Sequence, residues 1–209
     1  MRRRSVDRPT VSHEAGPGRP RPVGASAAPV GRPRFFVALR PDEAAAEALA
    51  RLARDTAEAV GGEPLAAADL HLTLAFIGAR EAAFAGRLER AVAPLARPGR
   101  FGPLALGRLG RFGNRTRPAL LWAGPDATPG WLDAIDGEVR RALRELSCEF
   151  DERPLVPHLT LVRGARREAA PSPVIAPPIL VASWRLAIGR NRPAGGPLRY
   201  DWSDPGAAS

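Results

Sequence analysis

The 209-residue sequence has one cysteine, Cys148, three histidines and no lysine; all 31 of its basic residues are arginine. A single thiol excludes a disulfide framework and any cysteine-based metal cluster, and it fits a reducing, cytoplasmic setting. His13, His71 and His158 are too few for a histidine-rich metal site. A zinc centre needs at least three protein ligands, and no third ligand of suitable spacing accompanies them. Neither a metal nor an organic cofactor is expected. Long apolar runs are missing too: the longest, such as residues 174–182, are short and broken by proline, which excludes a membrane-spanning helix. The expected state is a monomer.

Charge is present but uneven. Residues 1–33 hold seven arginines against Asp7 and Glu14, a net of +5 out of +9 for the chain. This segment is rich in Arg, Pro, Gly and Ala and has no apolar periodicity, so it cannot bury enough surface to offset its ordering entropy and reads as a disordered tail. No apolar run follows its arginines, as a twin-arginine signal requires. Its functional reading is an arm for nucleic acid. Residues 34–209 are then a single, mildly basic domain, compatible with a polyanionic ligand.

Within that domain one grammar occurs twice. Phe35-Phe36-Val37-Ala38-Leu39 is a short buried-strand pattern, and Pro41-Asp42 opens an alanine-rich helix over 43–60 that Gly61-Gly62 ends. An alternating strand over 70–78 and a helix over 82–95 follow. In the second half, residues 118–123 read as a strand, Pro125-Asp126 precedes a helix over 130–146, and a strand covers 158–164. Final strands are expected near 184–188 and 198–202, with Cys148 in a buried strand. The fold class this implies is α+β: a bilobal, pseudo-two-fold duplicated architecture, with antiparallel sheets lining a central cleft and helices outside.

Each half carries one copy of His-Leu-Thr-Leu, at 71–74 and 158–161. From composition alone, a given histidine is followed by Leu-Thr-Leu about once in three thousand. In a strand, alternate side chains share a face. His71 and Thr73 therefore look one way and Leu72 and Leu74 the other, and the same holds for His158 and Thr160 against Leu159 and Leu161. Across a pseudo-two-fold axis, the two imidazoles would face each other over a cleft with a threonine beside each. Two histidines can act as acid and base in one displacement near neutral pH, and two hydroxyls can hold non-bridging phosphate oxygens. Phosphodiester cleavage without a metal needs those groups.

Paired motifs of this kind, 87 residues apart, with the flanks RFFVALRP, LHLTLAFIG and PHLTLVRG, resemble the 2H phosphoesterase superfamily, and within it the RNA 2′,3′-cyclic phosphodiesterase (2′-5′ RNA ligase) family. The resemblance covers about residues 34–204. It implies a bilobal 2H phosphoesterase fold and hydrolysis of a terminal 2′,3′-cyclic phosphate of RNA to a 2′-phosphomonoester. His71 is implied as proton donor and His158 as acceptor, with Thr73 and Thr160 on phosphate oxygens. Arg163 and Phe76, each five residues after a motif histidine, are implied as contacts for phosphate or base. Strand parity puts positions 76 and 163 on the wrong face, so they reach the cleft only where the strands bulge or end, near Gly78 and Gly164. The four tryptophans read as packing residues. The same acid–base pair also suits 2′-5′ ligation or another cyclic nucleotide, and a nucleotide-binding module without catalysis is the reading from a different class.

Overall fold

The computed structural model describes residues 32–97, 99–113, 119–166, 173–192 and 198–206. The segment 1–31, most of the tail read as disordered, lies outside them.

Among the described residues, nine strands and three helices follow one another as β1 (Arg34–Pro41), α1 (Glu43–Val60), β2 (Glu63–Pro64), β3 (Leu72–Ala79), α2 (Phe84–Val92), β4 (Leu104–Phe112), β5 (Ala119–Gly124), α3 (Gly130–Glu145), β6 (Leu159–Ala165), β7 (Val174–Val181), β8 (Trp184–Asn191) and β9 (Tyr200–Ser203), with 3₁₀ turns at Ala67–Asp69 and Ala93–Leu95. All pairings are antiparallel, in the order β7-β4-β5-β6-β3-β1-β8-β9, with β2 added on β6. The sheets expected to line the cleft are thus one open sheet whose two halves meet between β6 and β3. That junction rests on the single pair Leu72 and Leu159, the first residues of the two strands carrying the motifs.

About this junction the halves correspond strand for strand. Val37 and Ala38 of β1 pair with Ala75 and Thr73, skipping Leu74; Leu121 and Trp122 of β5 pair with Val162 and Thr160, skipping Leu161. Each motif strand therefore carries a bulge at the same place. The helices are exchanged between halves: α1 packs on β6 and β7, while α3 packs on β3. Both helices cover the face that receives the motif leucines. Leu72, Leu74, Leu159 and Leu161 join Leu49 and Ala53 of α1 and Ile135 and Val139 of α3 in the main core. Burial of this apolar face is the main stabilising contribution. The opposite face of the β1 half carries a smaller cluster of Phe36, Ala38 and Tyr200, with Phe76 and Trp202 against it.

Helix α1 and strands β3, β5, β6, β8 and β9 start and stop close to the expected bounds; the helix over 82–95 is α2 plus a 3₁₀ turn. Strands β4 and β7 carry no expectation, because Gly107 and Gly110 interrupt one pattern and Pro177-Pro178 the other. Cys148 is buried but lies just after the turn at Leu146-Ser147 that ends α3, its N–H donating to Leu143 O, and is not in a strand. Among the described residues, no helix is long and apolar enough to cross a membrane.

Asp42 ties the first helix to the sheet. One carboxylate oxygen caps α1 by accepting from Ala45 N–H at 2.9 Å, and the other accepts from Ala182 and Ser183 N–H at 2.9 and 3.1 Å. Burial pushes this carboxyl up, but the backbone bonds outweigh it and hold it below its ordinary 3.8. The stabilisation is therefore present above that value and lost as pH falls through the lower, folded-state value. Replacing Asp42 by Ala should cost about 1–2 kcal/mol in denaturant titration at pH 7, and the difference from the parent should shrink toward pH 3; an unchanged difference at low pH would contradict the assignment.

Candidate active site

The sheet junction places the two imidazoles. His71 and His158 each sit one residue before their motif strand, so the pairing of Leu72 with Leu159 sets them on either side of the pseudo-two-fold axis. Their local settings are the same. His71 Nδ1 lies 2.7 Å from Asp69 O, and His158 Nδ1 lies 2.7 Å from Val156 O, in both cases the carbonyl two residues back. A carbonyl only accepts, so each Nδ1 carries the hydrogen and each Nε2 is the nitrogen left for chemistry.

Each ring is also held by aromatic neighbours. His71 lies 4.9 Å from Phe36, 5.0 Å from Tyr200 and 5.2 Å from Trp202, centroid to centroid. His158 lies 4.9 Å from Phe112 and 6.1 Å from Trp122. These positions depend on two strand glycines. A Cβ at Gly189, beside Phe36 in the ladder, would run into the Phe36 ring; one at Gly110, beside Trp122, would run into the Trp122 ring. Without side chains there, each aromatic ring lies across the neighbouring strand. Trp122 and Trp202, read from sequence as packing residues, thus stand against the histidines. The available signal was a glycine in the interior of a strand, which marks a close approach.

Thr73 and Thr160 are half-buried and occupy matching register positions, opposite Ala38 and Trp122. The parity problem at positions 76 and 163 is resolved by the bulges at Leu74 and Leu161, and a second register shift follows in each strand, skipping Ile77 beside Gly78 and skipping Gly164 itself. In each strand two consecutive residues face the core, Leu74-Ala75 and Leu161-Val162, and the alternation then resumes on the other face. Phe76 consequently packs with Phe36, Tyr200 and Trp202 on the histidine side. Arg163 turns the same way: its Nη2 donates to the Tyr200 hydroxyl at 2.8 Å, and its Nε is buried without a partner.

The electrostatics follow from burial next to cations. Burial pushes His71 down to about 4; the Asp69 carbonyl works against this, and Arg163, His158 and Arg40 add to it. His158 is lowered for the same reason, with the Val156 carbonyl opposing and Arg163 reinforcing. Both imidazoles are therefore held in the neutral form at pH 7, and the positive charge near them belongs to Arg163 and Arg40. Among the described residues no three His, Cys, Asp or Glu groups come together to hold a metal ion.

Comparison with known proteins agrees with this geometry. The family model described as LigT like Phosphoesterase matches residues 39–122, which include His71 and end at Trp122. An RNA 2′,3′-cyclic phosphodiesterase of Geobacillus stearothermophilus is 31% identical over 139 residues, 66% of this chain but 44% of that protein, so the chain spans less than half of that relative. A protein of the same name from Bacillus subtilis is 26% identical over 132 residues, 63% of this chain and 72% of its own length. Among solved structures, Escherichia coli LigT complexed with 3′-AMP superposes with a TM-score of 0.65 at 26% identity, over 82% of this chain and 94% of that one. Its apo form gives 0.63 at 27% identity over the same shares. This chain is thus similar to the LigT-like phosphoesterases in sequence over residues 39–122 and to Escherichia coli LigT in fold over 82% of its length.

Proposed function

We propose that this protein hydrolyses the terminal 2′,3′-cyclic phosphate of RNA to a 2′-phosphomonoester, with no metal in the chemical step. The observation that carries this reading is the equivalence of the two imidazoles, each with Nδ1 fixed on a carbonyl and Nε2 left for chemistry, both close to Arg163. The names of the relatives from Geobacillus and Bacillus support the choice of substrate.

In this reading the cyclic phosphate brings a negative charge up to these arginines. Its non-bridging oxygens lie against Arg163 and the hydroxyls of Thr73 and Thr160. The anion raises the proton affinity of the nearby imidazoles, and one of them takes up a proton. His158 Nε2 accepts a proton from water as the water oxygen bonds to phosphorus. The bond from phosphorus to the 3′ oxygen breaks, and His71 Nε2–H gives its proton to that oxygen. The site is reset when the proton gained by His158 is returned to His71 through solvent. Phe76, with the aromatic residues around it, offers a stacking surface for the base.

Replacement of His71 or His158 by Ala should each lower kcat on a nucleoside 2′,3′-cyclic phosphate by about 10²- to 10⁴-fold while leaving the thermal transition of the fold in place. Near-parental turnover by either variant would overturn the two-histidine mechanism. Proton NMR of the imidazoles gives an independent check. His71 should titrate near pH 4 in the free protein, and its midpoint should rise when inorganic phosphate or a nucleoside 2′-phosphate is added. A midpoint near 6.5 that ignores the anion would contradict the electrostatic account.

A further inference from the structure

Arginine 40 has no place in the chemistry above, yet it lies beside it. On β1 the residues facing the cleft are Phe36, Ala38 and Arg40, since Val37 and Leu39 belong to the main core. The ladder that pairs Leu39 with Leu72 brings Arg40 next to His71. The guanidinium lies over the Trp202 ring at 4.9 Å, and Trp202 is in turn against His71. One nitrogen donates to Ala68 O at 3.3 Å, and Nε is buried with no partner.

Two further features are unfavourable for folding alone. Arg40 pairs directly with Arg185 of β8 on the same face, and like charges opposite each other in a ladder repel. Burial and Arg185 lower the proton affinity of Arg40, and Asp204 and Asp69 only partly offset them. The compensating acid at Arg185 is Asp204, at 3.9 Å. The two arginines line a recess of about 250 Å³. Glu43 and Glu47 line it too, exposed, and among the described residues neither forms an ion pair with Arg40 or Arg185. The fold itself does not require this cation: in the other half of the sheet the position matching Arg40 is Gly124.

We propose that Arg40, with Arg185 beside it, holds the phosphodiester that links the reacting nucleotide to its upstream neighbour. This rests on the hydrolase reading and narrows the substrate from a cyclic mononucleotide to the end of an RNA chain. The Trp202 face orients the guanidinium, the unpartnered Nε–H and the free Nη–H groups point to a singly charged phosphate, and the asymmetry between the halves sets the side on which the chain lies.

Three substrates test it with the full-length protein: a nucleoside 2′,3′-cyclic phosphate, a dinucleotide ending in the same group, and that dinucleotide with an uncharged methylphosphonate link. The parent should show kcat/KM at least about tenfold higher on the dinucleotide than on the other two. For Arg40→Gln, the fall on the dinucleotide should exceed the fall on the mononucleotide by about tenfold, with a smaller difference in the same direction for the exposed Arg185→Gln. The methylphosphonate should then cost Arg40→Gln no further activity. Equal losses on all substrates, or a methylphosphonate turned over as fast as the phosphodiester by the parent, would overturn the proposal. Absence of turnover on every substrate by the parent would instead overturn the hydrolase reading beneath it.

Discussion

The pairing of Leu72 with Leu159, where β3 meets β6, joins the two halves of this molecule's sheet, with β2 pairing on β6 beside it, and the placement of the two histidines depends on it. Because the motif strands run antiparallel there, the residue before each strand lands on the same side of the sheet and next to the axis. Each of those residues is a histidine, oriented by a carbonyl of its own approach segment. The junction has little pairing of its own. It is stabilised from behind, where α1 reaches across to β6 and α3 to β3 and the motif leucines fill the core between helices and sheet. A change in register by one residue would turn the imidazoles into that core and the leucines into the cleft.

Burial gives the site its electrostatic character. Aromatic rings and the sheet remove water from the imidazoles, and the arginines nearby make protonation harder still. Both imidazoles are thereby kept unprotonated, and in the proposed reading His71 becomes a donor only once an anion raises its proton affinity. The same positive charge that lowers proton affinity without ligand thus draws in the group that restores it.

Much of this was legible in the sequence. The helix over 43–60, the order of the elements other than β2, β4 and β7, and the pseudo-two-fold repeat followed from periodicity and Pro-Asp punctuation. The pairing of His71 with Thr73 and of His158 with Thr160 followed from strand parity. Parity also showed that Phe76 and Arg163 need a bulge, but not its place, because Leu74 and Leu161 look like ordinary alternating core residues until their ladder partners are known. The aromatic support of the histidines was hidden for a related reason. Phe112, Trp122 and Trp202 are far from the motifs in sequence, and only the glycines opposite Phe36 and Trp122 hint at rings lying across strands. Arg40 sat inside the first strand pattern, and nothing local distinguished it from the other thirty arginines.

The central claim is that two imidazoles, on opposite sides of one phosphorus, open a cyclic phosphodiester toward the 2′ product. Phosphorus NMR of a nucleoside 2′,3′-cyclic phosphate incubated with the protein in EDTA tests it most directly. The account predicts conversion to the 2′-phosphomonoester alone. A 3′-phosphomonoester would reverse the leaving oxygen and with it the roles of His71 and His158, and no conversion of this substrate or of a short RNA ending in a cyclic phosphate would contradict the catalytic reading itself.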